Sequence, residues 1–509
     1  MGDILAAHAA AQPDKPAVID DRPGREVVTW TFDELNRRVN QLSHLLVERG
    51  VAPGTKVVWA GQNSAWLVAA MHACRKVGAV SVPLNYRLSP EEATYVVDNS
   101  DATVVWVDAA YASLIEAIRP DTPKVTEVLV FDGDGAVEAQ LAAQPDTEPE
   151  VGELPPSFTM IYTSGTTGKP KGALRGGATD PAGVTGLLSL IGYVGDDVYL
   201  TTGPLYHSGP GGFAAIAHVL GNTVVVQHKF DAEDWLRLVE TYSVTTTFTA
   251  PTPIRMICTL PDAVKARYDH TSMRRLIANA APWTLALKKQ YLANFPVDSL
   301  YEVYGSSELG VDTVLLPDEH LRKPGSCGRP APGVEIRLFD EHGGEVTEPL
   351  AHGEVFVRPV SEFAAYYKAD EKYEADRRGL YHTVGDIGYF DDEGYLYIAD
   401  RKKDMIISGG MNIYPAEIEA ALDADPDVYE VTVFGIPDEE WGERVHAVVV
   451  PARPEVSEAD IMGYARQHLA GYKVPRSVGF VDELPKTGSG KVLKRELRAP
   501  FWAGRTAAV

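Results

Sequence analysis

Short apolar runs, each followed by an amphipathic stretch, recur through the first half of the chain, and this alternation restricts the fold more than any other feature. Residues 56–59 precede 66–76, and residues 104–107 precede a helical pattern over 111–118. A two-residue period that gives way to a helical one is the signature of strand–helix units, so α/β layers are expected. The alternation returns at 222–227, 232–242 and 245–249, which predicts a second α/β subdomain rather than one enlarged sheet. From about 325 to 398, short β-rich runs are broken by turns such as Ala331-Pro332-Gly333 and Asp391-Asp392-Glu393-Gly394, as in a small barrel-like unit. After Asp400-Arg401-Lys402-Lys403-Asp404 comes a compact segment with helix 415–422, strands 431–434 and 445–450, and helix 457–468. The expected fold class is α/β multidomain. Residues 1–402 form a large N-terminal domain of two α/β subdomains plus the barrel-like unit, and 403–509 a small mobile α+β domain.

Charge and cysteine usage narrow the function classes. A formal net charge of -24 argues against a general nucleic-acid or anionic-membrane surface, while leaving room for a local basic pocket. Cys74, Cys258 and Cys327 fall at no spacing that makes a zinc site or a disulfide framework. The first residues lack a basic segment followed by a long apolar run, and no stretch is apolar for long enough to span a bilayer. A cytoplasmic location is expected.

The densest chemical signal follows the strand end Met160-Ile161-Tyr162. There the chain reads Thr163-Ser164-Gly165-Thr166-Thr167-Gly168-Lys169-Pro170-Lys171-Gly172. Glycines let a backbone approach phosphate closely, hydroxyls and N–H groups donate to its oxygens, and lysines neutralise its charge. A Walker A loop is the competing reading, but it requires glycine at 163 and a hydroxyl residue after Gly168-Lys169, where this chain has Thr163 and Pro170.

With that loop in view, the chain resembles the adenylate-forming superfamily of acyl-CoA synthetases, peptide-synthetase adenylation domains and luciferases. Four more segments carry the resemblance in the family's order: Tyr304-Gly305-Ser306-Ser307-Glu308, Val384-Gly385-Asp386, the 400–404 run, and Pro485-Lys486-Thr487-Gly488-Ser489-Gly490-Lys491. The resemblance implies an ATP- and Mg²⁺-dependent acid–CoA ligase that makes an acyl-adenylate and then a thioester. It assigns Thr163, Ser164, Gly165, Thr166, Thr167, Gly168 and Lys171 to the phosphates, and Ala280, Ala281, Tyr304, Gly305, Ser306 and Ser307 to the nucleotide. Asp386 and Arg401 fall at the ribose, Glu308 at Mg²⁺, and Lys491 at the reacting phosphate, with Thr163, His207 and Glu308 counted beside it as catalytic. Lys403 would be the hinge, and Gly409 with Gly410 would line a CoA tunnel after domain rotation. One position departs from the pattern: Val384 stands where many relatives carry threonine, with Thr383 one place earlier.

The stretch from Gly203 to Phe213 resembles the acyl-site loop of acyl-CoA synthetases. Tyr206, His207, Gly209, Gly212 and Phe213, with Ala280, Gly305 and Gly310, are its candidate acid contacts. It contains no carboxylate to bind an α-amino group, which speaks against amino acids. Gly209, Gly211, Gly212, Ala214 and Ala215 leave volume, so a large hydrophobic acid is expected: long-chain, aryl or polycyclic. The expected partners are that acid and CoA, with a carrier protein as the alternative acceptor. Rival readings are a specialised enzyme running mainly one half-reaction, or a nucleotide-binding regulator without chemistry. The resemblance leaves a homodimer open.

Overall fold

The computed structural model describes residues 3–150, 155, 157–163, 169–487 and 491–503. Two large sheets form from the strand–helix alternation. In one, six parallel strands run in the order Leu300–Ser306, Arg275–Ala278, Thr246–Thr249, Val198–Thr201, Thr223–Val226, Pro16–Asp20, with antiparallel strands at both edges. In the other, Ser157–Thr163, Val80–Leu84, Lys56–Ala60, Val104–Asp108 and Glu127–Phe131 are parallel, followed outward from the first by antiparallel Lys171–Ala178 and Ser361–Tyr366. Strands such as Val104–Asp108 and Thr223–Val226 are buried throughout, as parallel strands covered by helices must be.

Local chemistry sets the helix starts. Thr31 and Glu34 form a reciprocal capping box for the Phe32–Glu48 helix, whose Leu35, Val39, Leu42 and Leu46 make a buried stripe at helical spacing. Ser64 caps Ala65–Lys76 one way only, its hydroxyl accepting the Leu67 N–H. No helix among the described residues is long and apolar enough to cross a membrane.

Residues 325–398 do not close on themselves as a separate barrel. Strand Ser361–Tyr366 leaves the β-rich unit and pairs with Lys171–Ala178, and Arg329–Pro330 joins the edge of the first large sheet. The remaining strands form a third, antiparallel sheet. Alternation within a strand specifies its faces and not its neighbour, which tertiary packing decides. The C-terminal segment has its own sheet and its own apolar core around Ile406, Ile418, Val433 and Val449. Its two central strands, Val428–Asp438 and Gly442–Pro451, are longer than their apolar runs and pair as a hairpin. Gly409 and Gly410, both at positive φ, make the two-residue turn between Ile406–Ser408 and Met411–Ile413.

Candidate active site

The parallel strands of both sheets deliver their carboxyl ends to one place. Thr163 ends a strand of the second sheet; Ser306, Ala278 and Thr201 end strands of the first and are followed by the loops that carry Glu308, Ala280 and His207. In doubly wound sheets this is where ligands bind. Thr163, Ser306 and the loop residues Glu308, Ala280 and His207 border one continuous cavity of about 2920 Å³. That is roughly three times the upper range of an ordinary drug-sized pocket, enough for a nucleotide and a second substrate together.

The carboxylate of Glu308 is 7% exposed and held from two sides. Thr163 Oγ1 donates to Glu308 Oε1 at 2.9 Å, and the Tyr366 hydroxyl donates to the same oxygen at 3.2 Å. Behind it, the buried Arg175 guanidinium donates to the carbonyls of Ser307 (3.2 Å) and Glu308 and to the Ser361 hydroxyl. Among the described residues no hydrogen bond reaches Oε2, which can serve a ligand. A single hard oxygen suits Mg²⁺, which keeps most of its coordination for water and phosphate, and among the described residues no cluster of three or more metal-binding side chains competes. Ser307 Oγ shares a hydrogen bond with Ser208 Oγ at 2.7 Å, joining this loop to the start of the Ser208–Val219 helix.

Also bordering the cavity, Asp386 accepts from the Tyr304 hydroxyl at 2.7 Å and lies 3.4 Å from Arg401 Nε. Tyr304 therefore contributes a ring wall to the cavity and also orients the carboxylate. Gly305 is required by the hairpin: a Cβ there would collide with the carbonyl of Gly310, which itself sits at φ 87°. Ala280 holds φ 72°, a conformation uncommon for a residue with a side chain, and with Ala281 it keeps the adjacent wall thin.

Lys491 reaches this cavity from the C-terminal domain. Its N–H donates to Thr487 Oγ1 (3.1 Å) and its carbonyl accepts from Thr487 N–H (2.8 Å), so a hairpin presents it. Burial, then the Arg401 guanidinium, pushes its ammonium down to about 8, opposed by Asp386. Lys403 also borders the cavity, and burial lowers it too. His207 caps the Ser208–Val219 helix by accepting Gly209 N–H at its Nδ1 (3.4 Å), which leaves the proton on Nε2. Burial and then Lys491 push this imidazole down to about 4, so it stands neutral at ordinary pH.

Among the other sequence candidates, Lys171, Tyr206, Gly212, Phe213, Ala280, Ala281, Ser306 and Gly310 border the same cavity. Ser164, Gly165, Thr166, Thr167 and Gly168 lie outside the described residues, as do Gly488, Ser489 and Gly490. Gly409 and Gly410 do not border the cavity; they turn the hairpin, and a Cβ at Gly409 would lie 2.5 Å from the Trp441 ring. The expectation that Gly209 and Gly211 leave room for substrate is corrected. A Cβ at Gly209 would strike the Phe248 ring, and one at Gly211 the Leu205 carbonyl. Their lack of a side chain is used by packing, whereas a Cβ at Gly212 would meet no atom within 4 Å and that face is open.

Sequence reasoning missed three groups. Arg175 is the one charged residue in the otherwise small and apolar run 172–178, a signal that could have found it. Asp312 is fully buried, neither of its oxygens meets a hydrogen-bond partner among the described residues, and desolvation holds it well above the usual carboxylate range. Finally, Asp423 of the C-terminal domain accepts from Arg255 at 2.8 Å and from Thr284 Oγ1 at 2.5 Å, and Arg255 also donates to the Tyr429 carbonyl.

Comparison with known proteins agrees with this geometry. Residues 5–367 match the family model described as AMP-binding enzyme, and 417–491 match AMP-binding enzyme C-terminal domain. The chain is 34% identical to the fatty acid–[acyl-carrier-protein] ligase ScoC of Streptomyces coeruleorubidus, over 97% of this chain and 95% of that protein. It is 35% identical to the indoleacetate–CoA ligase of Aromatoleum aromaticum, over 98% and 97%. The structure of ATP-bound MatB from Rhodopseudomonas palustris superposes with a TM-score of 0.87 at 28% identity, over 98% of each chain.

Proposed function

Because the chain belongs to the AMP-binding enzyme family, we propose that it is an ATP-dependent acid–CoA ligase that activates a large hydrophobic carboxylic acid as its acyl-adenylate. One observation carries this reading: the Lys491 ammonium, the Glu308 carboxylate and the Asp386–Arg401 corner, drawn from two domains, border a single cavity.

The chemistry needs that combination. A carboxylate oxygen attacks the α-phosphorus of ATP, the bond to the bridging oxygen breaks, and pyrophosphate leaves with the electron pair. Negative charge crowds at the phosphorus, so positioned cations and donors supply most of the acceleration. Lys491 places its charge at the reacting phosphate. Asp386 accepts from the ribose hydroxyls, and His207 donates its Nε2 proton to the acid. Mg²⁺ bound at Glu308 would neutralise the leaving pyrophosphate, while Thr163 and Tyr366 fix the carboxylate that holds it. In the second half-reaction a thiolate attacks the acyl carbon and AMP leaves, a step that requires no cation at the α-phosphate. We take residues 403–509 as the domain that then rotates about Lys403, withdrawing Lys491 and bringing Gly409 and Gly410 toward the thiol path.

Incubation with ATP, Mg²⁺, CoA and a pool of carboxylic acids, with acyl-AMP and acyl-CoA followed separately by mass spectrometry, tests the proposal. Acyl-CoA from large acids is the expected product. Acyl-AMP without thioester would move the acceptor to a carrier protein, as the similarity to ScoC allows. A preference for acetate would refute the large-acid assignment.

Two smaller predictions follow from the same site. Only the protonated Lys491 serves, and its ammonium is half titrated near pH 8 in the free enzyme. The kcat/KM for adenylation should therefore fall about tenfold per unit above that pH, and Lys491→Arg, whose charge persists, should move this limb to higher pH. An unchanged limb in the arginine variant would assign the titration elsewhere. Arg255 pairs with Asp423 across the domain interface in the arrangement that inserts Lys491. Arg255→Ala removes about 1–2 kcal/mol from that arrangement, so adenylation should slow by on the order of tenfold while thioester formation from supplied acyl-adenylate does not. Equal loss in both assays would show that the pair acts on folding instead.

A further inference from the structure

The Ser208–Val219 helix begins at His207, beside Lys491, and runs along the cavity to His218, eleven residues later. At 1.5 Å per residue this places its far end roughly 16 Å from its start. There, His218 is paired with His72 of the Ala65–Lys76 helix, and both side chains border the cavity.

Hydrogen bonding decides where the protons of this pair sit. His218 Nε2 lies 2.9 Å from the Ala17 carbonyl, which can only accept, so Nε2 carries the hydrogen. His218 Nδ1 is then a lone pair. His72 Nε2 lies 2.8 Å from it and must donate. The remaining nitrogen, His72 Nδ1, is therefore an acceptor. Among the described residues no hydrogen bond reaches it, and His72 itself is half-buried and borders the cavity. Burial keeps both rings neutral: it pushes His218 down to about 4 and His72 well below its usual range, helped for His72 by His218, Arg75 and Lys76. The other ionisable groups near the pair are His8, which faces His218, the exposed Arg75 and the buried Lys76.

An acceptor of fixed direction is out of place at the end of an apolar acyl site. Met71, Ala215 and Val219 border this end of the cavity, which opens to solvent past Val219, 42% exposed, and the exposed Arg75. A purely hydrocarbon acid lying against His72 would displace water from Nδ1 and leave it without a donor. An acid with a hydroxyl at that depth would restore the bond. We infer that His72 Nδ1 is the acceptor of a remote-hydroxyl subsite, and that the enzyme selects long or polycyclic acids carrying an O–H donor at the end opposite the carboxyl. The inference rests on the adenylation reading above and names its substrate class.

Two matched pairs test it: hexadecanoate against ω-hydroxyhexadecanoate, and cholanate against lithocholate, each pair differing by one hydroxyl. The readout is the ratio of kcat/KM for ATP–pyrophosphate exchange, hydroxylated over unsubstituted, within one preparation, so that a reduced folded fraction cancels. In the unaltered protein at least one pair should give a ratio of about ten or more, the scale of one hydrogen bond made to an otherwise stranded acceptor. His72→Phe, which keeps a ring and removes the acceptor, should bring that ratio to about one. His72→Gln, which can donate to His218 and still present an oxygen, should retain part of it. Ratios near one for both pairs in the unaltered protein, or a preference that survives His72→Phe, would overturn the subsite while leaving the ligase intact. Absence of exchange with all four acids would overturn both.

Discussion

Lys491→Ala is expected to lower ATP–pyrophosphate exchange by about two to three orders of magnitude, the scale of removing one positioned contact to a charge-developing transition state. The lysine is on a hairpin of the small domain, with its ammonium bordering a cavity built mostly by the large one. Burial and then the Arg401 guanidinium lower its proton affinity, and Asp386 and Asp404 offset this only in part. Such a cation is poorly compensated until phosphate arrives, so binding energy is concentrated where charge builds up. The same substitution should spare thioester formation from supplied acyl-adenylate, because AMP departs from an acyl carbon without fresh charge at phosphorus. The two half-reactions, assayed separately on protein whose thermal unfolding is unchanged, check this. Equal losses in both would mean that Lys491 does not alternate with a second arrangement.

The features legible before any coordinates were those with a local cause. Strand and helix periods located residues 56–76 and 222–249 to within a residue or two, because burial on one face writes itself into spacing. Thr163 and Glu308 converge because they sit at or just beyond the carboxyl ends of strands, and Asp386 joins them from the start of strand Asp386–Phe390. What stayed hidden depended on distant partners. Gly209 appears as spare volume until Phe248, far along the chain, is seen against it. Strand Ser361–Tyr366 has the same pattern whichever sheet it joins, yet its place beside Lys171–Ala178 is what brings Tyr366 to Glu308. The Asp423 latch and the His72–His218 pair are likewise contacts between elements whose own sequences carry no trace of one another.

That dependence on assembled partners makes Glu308 the second decisive position. Glu308→Gln keeps the length and shape of the side chain, and Thr163 and Tyr366 can still donate to the amide oxygen that replaces Oε1. The other oxygen becomes an NH₂ group, which repels a cation and offers donors where an acceptor is required. The loop itself should hold, since Arg175 grips the Ser307 and Glu308 carbonyls rather than the carboxylate. Adenylation should therefore fall by about two orders of magnitude with little change in thermal stability, and the Mg²⁺ concentration giving half-maximal rate should rise. Arg175→Ala gives the complementary result, since it frees the loop while retaining the carboxylate: lower stability, with the Mg²⁺ dependence of the remaining activity preserved. If Glu308→Gln instead left the Mg²⁺ requirement unchanged, the carboxylate would serve to brace Thr163 and Tyr366, and the metal would have to be held by the triphosphate and water alone.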